Sequence, residues 1–91
     1  MLPDAARQRL DVRLFRIEAQ LREIRLKARA PQDCREVLSE LAAAEAAIAR
    51  ISHTVRGLHL EHCVPEAVGQ GEAEAQKHLD ELVVIFDQFA R

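Results

Sequence analysis

The sequence has no tryptophan and no tyrosine, and only three phenylalanines, three glycines, three prolines, two cysteines and one methionine in 91 residues. Its β-branched residues are few and scattered, so a sheet is not expected. No uninterrupted apolar run approaches the length that a membrane-spanning helix needs. The opening "MLPDAARQRL" lacks the apolar stretch of a secretory signal, and the chain reads as cytoplasmic. No Ser–His–Asp order, glycine-rich phosphate loop or paired-carboxylate arrangement stands out, which argues against an enzyme and against a small-molecule substrate. Two cysteines in a reducing compartment are expected to be ligands or reactive thiols rather than a structural disulfide.

What fills the chain is alanine, leucine, glutamate and arginine, the composition of helix bundles and coiled coils. Ninety-one residues suit one domain, 1–91, with a modest core, so long helices would call for an oligomer. The formal net charge is −2, but it is unevenly spread. Residues 1–30 carry eight Lys/Arg against four acids, a net of +4, and the remaining 61 carry five against eleven, a net of −6. Such a basic first segment could meet an anionic partner, or it could be a solvated arginine-rich face.

Leu10, Leu14, Ile17, Leu21, Ile24 and Ala28 repeat in steps of four and three, predicting an amphipathic helix over residues 5–29. Ala30 precedes Pro31 and is biased away from helical geometry, while Pro31 suits the first turn of the next helix. From Gln32 to Cys63 there is no proline and only Gly57, and Leu38, Leu41, Ile48, Ile51, Val55 and Leu58 keep helical spacing. One helix of about 30 residues, about 45 Å long, is expected there. It is too long for a compact monomer to cover, so a second chain is expected to cover it. Pro65, Gly69 and Gly71 are expected to end it, and Leu79, Leu82, Val83, Phe86 and Phe89 mark a third helix over Glu72–Ala90. The fold class is therefore all-α, three helices with a long middle one.

"LHLEHCV", Leu58–Val64, sets His59 four residues before Cys63, and such a pair shares a helix face. Cys34 lies at the far end of the same helix. At about 100° per residue, it falls within about 20° of both His59 and Cys63, whereas His62 lies about 80° away. Along the axis, however, Cys34 and His59 are about 37 Å apart and cannot meet in one straight helix. They would meet if two copies packed antiparallel about a two-fold axis, each giving Cys34 to the other's His59 and Cys63. Two thiolates and one imidazole form a soft, three-coordinate set that favours Cu(I), whereas Zn(II) would want a fourth ligand. Two thiols facing each other could instead form an oxidative or persulfide-driven cross-link. The other histidines, His53, His62 and His78, read as surface residues.

With Cys34, His59 and Cys63 in view, the chain resembles the copper-sensitive operon repressors of bacteria. The likeness runs through "RLFRIEAQLREI" (13–24), "DCREVLSEL" (33–41), "HLEHCV" (59–64) and "LDELVVIFDQF" (79–89). Relatives in that family respond to nickel or cobalt, to formaldehyde or to reactive sulfur. The resemblance implies an antiparallel helical dimer that pairs into a flat homotetramer without a helix-turn-helix. It implies a Cu(I) site across the dimer interface at Cys34, His59 and Cys63, and operator DNA released when Cu(I) binds. Arg13 and Arg16 match basic DNA-binding positions of the family. Glu81, with Asp80 as the other choice, matches an acid that orients the ligand histidine. The chain departs from the family pattern at Phe15, Ala19, Glu23 and Glu45, and the charge changes make a DNA-facing surface less positive. Two alternatives stand beside the repressor: a Cu(I)-binding protein without an operator, and a persulfide or thiol switch on Cys34 and Cys63.

Overall fold

The computed structural model describes residues 1–30 and 33–90, and among these there is no strand. Helix α1 spans Asp4–Arg29 and α2 spans Cys34–Leu58. A π-helical turn follows at His59–Cys63, then α3 at Val64–Gly69 and α4 at Glu72–Phe89. The three expected helices are all present. The expected turn at Pro31 and helix start at Gln32 lie outside the described residues.

Local chemistry sets the helix ends. Pro3 is extended (φ −61°, ψ 152°) ahead of Asp4, an acid in the first turn of α1, and Lys27 and Arg29 sit in the last, as the helix dipole favours. Ala30 leaves the helix in extended geometry (φ −85°, ψ 158°), as a residue before proline must. At the start of α2 the Asp33 carboxylate accepts the Arg35 backbone N–H at 3.0 Å, an N-cap bond. The Arg35 guanidinium, and then that N–H, hold the Asp33 carboxyl below its ordinary value.

The helical path does not stop at Pro65, as the sequence suggests; it runs on to Gly69. The reason lies one turn earlier. The Val64 N–H donates to the His59 carbonyl, five residues back, so the ladder slips by one residue and restarts as α3. Pro65 then falls in the first turn of the restarted helix, where a missing N–H costs nothing. The true stop is Gly71, whose φ of 118° admits no ordinary side chain and turns the chain into α4.

The chain divides into two compact units, residues 3–55 and Met1–Leu2 with the chain from Arg56 on. In the first, Ile17 and Ile24, one heptad apart on the α1 seam, are buried, as are Ala6 and Ala44. Lys27 of α1 bonds both Glu36, at 3.2 Å, and Glu40 of α2. Those contacts, Glu40 first, raise its ammonium above its ordinary value. In the second unit α3 packs on α4, Ala67 is buried, and the Arg56 guanidinium lies 4.5 Å above the Phe89 ring. Large apolar side chains stay exposed in both units, among them Leu38 (62%) and Val83 (65%). Among the described residues no helix is long and apolar enough to cross a membrane.

Candidate metal centre and basic groove

Cys34 is the first residue of α2 and is exposed, in the unit 3–55. His59 and Cys63 are the first and last residues of the π-turn, half-buried, in the other unit. Both thiols are free. Widening the turn lowers the rotation per residue, so residues four apart lie more nearly one above the other than in an α-helix. Imidazole and thiol are thus carried on one short, irregular piece of backbone. Among the described residues of one chain, no three or more His, Cys, Asp or Glu side chains gather to hold a metal ion.

The residue that touches His59 is His78 of α4, with Nε2 atoms 2.7 Å apart. This corrects the reading of His78 as a surface residue. The signal was present: Ala75, His78, Leu82 and Phe86 recur at steps of three and four, and these are the half-buried positions of α4. Leu79, Val83 and Phe89, on the apolar stripe the sequence suggested, face outward. Burial first, then the His78 ring and the amino terminus, lower the His59 pKa below the ordinary 6.5. That favours the neutral imidazole, the form that can ligate a metal. Glu81 is exposed on α4, and Asp80 accepts a hydrogen bond from Gln76 at 2.9 Å. His62 lies 3.9 Å from the Glu61 carboxylate. The Met1 α-ammonium bonds Glu66, which raises it, and the neighbouring Cys63 adds to the shift.

The unit 3–55 carries a groove of about 590 Å³ between α1 and α2. Arg13 and Arg16 line it from α1, and Arg50, His53 and Thr54 from α2. Arg13 Nη1 donates to Thr54 Oγ1 at 3.5 Å, and the Thr54 hydroxyl donates to the Arg50 carbonyl at 3.0 Å. Arg50 joins the two arginines picked out by sequence. The sequence did not single it out, because only the packing of α2 on α1 brings it beside the others. Phe15, 69% exposed, stands next to Arg16 in the chain, and Glu23 and Glu45 are exposed too.

Comparison with known proteins supplies the class to which this helical fold, its Cys/His turn and its arginine-lined groove belong. A family description, "metal-sensitive transcriptional repressor", matches residues 6–88, and the chain belongs to that family. Its class is transcriptional repression, not enzyme catalysis. The chain is 30% identical over 79 residues to the copper-sensing transcriptional repressor CsoR of Bacillus subtilis (strain 168), covering 87% of this chain and 76% of the relative. A 41-residue stretch is 46% identical to the uncharacterized protein YrkD of the same organism, 45% of this chain and 65% of YrkD. The fold matches the crystal structure of the copper-sensing repressor CsoR with Cu(I) from Geobacillus thermodenitrificans NG80-2. The TM-score is 0.88 at 27% identity, over 100% of this chain and 95% of that one.

Proposed function

We propose that this chain is a Cu(I)-responsive repressor that holds operator DNA when metal-free and leaves it when Cu(I) binds at Cys34, His59 and Cys63. The observation that carries the reading is the donor set itself: His59 and Cys63 on one π-turn and an exposed Cys34 at the start of α2. Two soft thiolates and one imidazole fit Cu(I) better than a harder ion. Similarity to copper-sensing repressors supports the same choice. Among the described residues of one chain no three donors gather, and in this reading Cys34 comes from a second copy packed antiparallel. The assembly is a homodimer that pairs into a flat tetramer in the cytoplasm, each chain acting as one metal-sensing and DNA-binding domain. Bound Cu(I) supplies a cross-link between two subunits, favouring a form with lower DNA affinity.

Arg13, Arg16 and Arg50 are the phosphate-contacting residues of this reading, and Glu81, exposed on α4 one turn beyond His78, is the acid that couples to the ligand histidine through the His78 ring. Replacing Arg13 with alanine should weaken binding to all sequences alike and lower the salt dependence by about one contact per bound subunit. A second reading rests on Phe15, Glu23 and Glu45: a Cu(I)-binding member of the family that no longer holds DNA. A third uses Cys34 and Cys63 as a persulfide or thiol switch.

An anaerobic Cu(I) titration of the reduced protein, read by absorption and by anisotropy of labelled upstream DNA, separates them. One Cu(I) per chain with loss of DNA binding, abolished by Cys34→Ala, is the expected result. Stoichiometric Cu(I) with no DNA affinity at any salt selects the second reading. Absence of stoichiometric Cu(I), with an interchain cross-link forming after a sulfide donor, selects the third.

A further inference from the structure

The His59–His78 pair has a geometry that constrains its protons. The two rings are within 10° of parallel, their centroids are 4.7 Å apart and their Nε2 atoms 2.7 Å. Near-parallel planes cannot be farther apart than their closest atoms, so the separation here is at most about 2.7 Å. Ring atoms in face-to-face contact rest at roughly 3.5 Å or more. The rings therefore do not lie face to face; they meet edge to edge, close to one plane. A ring nitrogen's N–H and its lone pair both lie in that plane, so the contact is an N–H···N hydrogen bond. Between two neutral imidazoles, one Nε2 donates and the other accepts.

We propose that His78 is a positioning residue: its Nε2 accepts from the His59 Nε2–H, fixing that tautomer and leaving His59 Nδ1 as the metal-binding atom. The shared Nε2–Nε2 hydrogen bond stands on the ring geometry alone; the choice of His59 as its donor, and with it the metal half, rests on the Cu(I) reading above. If His59 Nε2 is engaged by His78, Nδ1 is the one atom of the ring left to ligate. It has a lone pair only when His59 is the donor, which places the second proton of the pair on His78 Nδ1. An imidazole acceptor also differs in kind from a carboxylate. A carboxylate adjacent to His59 would add negative charge and raise the basicity of the ligating nitrogen, whereas a neutral ring orients His59 without adding charge.

The test uses the full-length, reduced, metal-free protein with 15N-labelled histidine, at a pH where its imidazoles are neutral. Long-range proton–nitrogen spectra should show His59 with a protonated Nε2 and an unprotonated Nδ1. His78→Gln keeps an acceptor and should preserve that pattern, while His78→Leu removes it and should give a mixture of tautomers. Cu(I) competition titrations should then show His78→Leu binding about 10- to 100-fold more weakly at one Cu(I) per chain, with His78→Gln near the parent. A protonated Nδ1 on His59 in the parent protein overturns the proposal. So does a tautomer indifferent to His78→Leu, or a lost tautomer preference with unchanged Cu(I) affinity. A fixed tautomer in a protein that takes up no Cu(I) upholds the ring pair and overturns the copper reading instead.

Discussion

Gly71 sits at φ 118° and ψ 170°, a region that residues with a Cβ occupy only under strain, and it is the one positive φ among the described residues. It marks where the chain leaves α3 and enters α4, and so sets where α4 begins. Gly71→Ala should destabilise by about 1–3 kcal/mol from backbone strain alone. Gly69→Ala is the matched control, because a Cβ there would meet open space and Gly69 has no positive φ. Its effect should stay within about 0.5 kcal/mol. Urea unfolding of the two variants measures both, and equal losses would sink the strain argument. Single residues also show where sequence reading stopped short. Arg13 and Arg16 were singled out through the family resemblance, and both line the groove of the unit 3–55. Arg50 was not singled out, since only packing sets it beside them; the half-buried stripe that holds His78 was legible in the spacing, but its partner His59 was not.

Elements were more legible than their irregularities. Apolar spacing located α1, the long central helical run and α4 to within a few residues, because a seam at steps of three and four has one structural interpretation. The π-turn was hidden: five residues are too few for a slipped ladder to disturb that spacing. Pro65 was misread for the same reason, since a proline that would end an α-helix is harmless just after the ladder restarts. The seam's weight is testable. Ile24, 6% exposed, is held inside its unit, whereas Leu26, 50% exposed, lies off the seam. Ile24→Ala should cost about 2–5 kcal/mol and Leu26→Ala about 0.5 kcal/mol, read from chemical denaturation midpoints. Comparable losses would mean that the seam does not hold α1.

For the molecule as a whole, the balance of inside and outside is unusual. Among the described residues the five buried ones are two isoleucines and three alanines, while Leu38, Ile48, Leu79 and Val83 stay between 44% and 65% exposed. Fully burying one such side chain contributes about 1.5–3 kcal/mol, and about half of each is still uncovered, so a second copy over these faces would add a stabilisation comparable with that of the core. Sedimentation velocity should show a dimer or tetramer at micromolar concentration, and Val83→Asp should shift it towards smaller species. A concentration-independent monomer would rule that out. That Cys34 belongs to one unit, and His59 and Cys63 to the other, has a further consequence, one of inheritance. If each site draws on two chains, a gene lacking Cys34 and a gene lacking Cys63 are each inert alone. Expressed together they assemble a mixed dimer in which one site has all three donors and the other has only His59. Two broken copies in one cell would then restore one of the two sites in every mixed dimer, a site that neither could build alone.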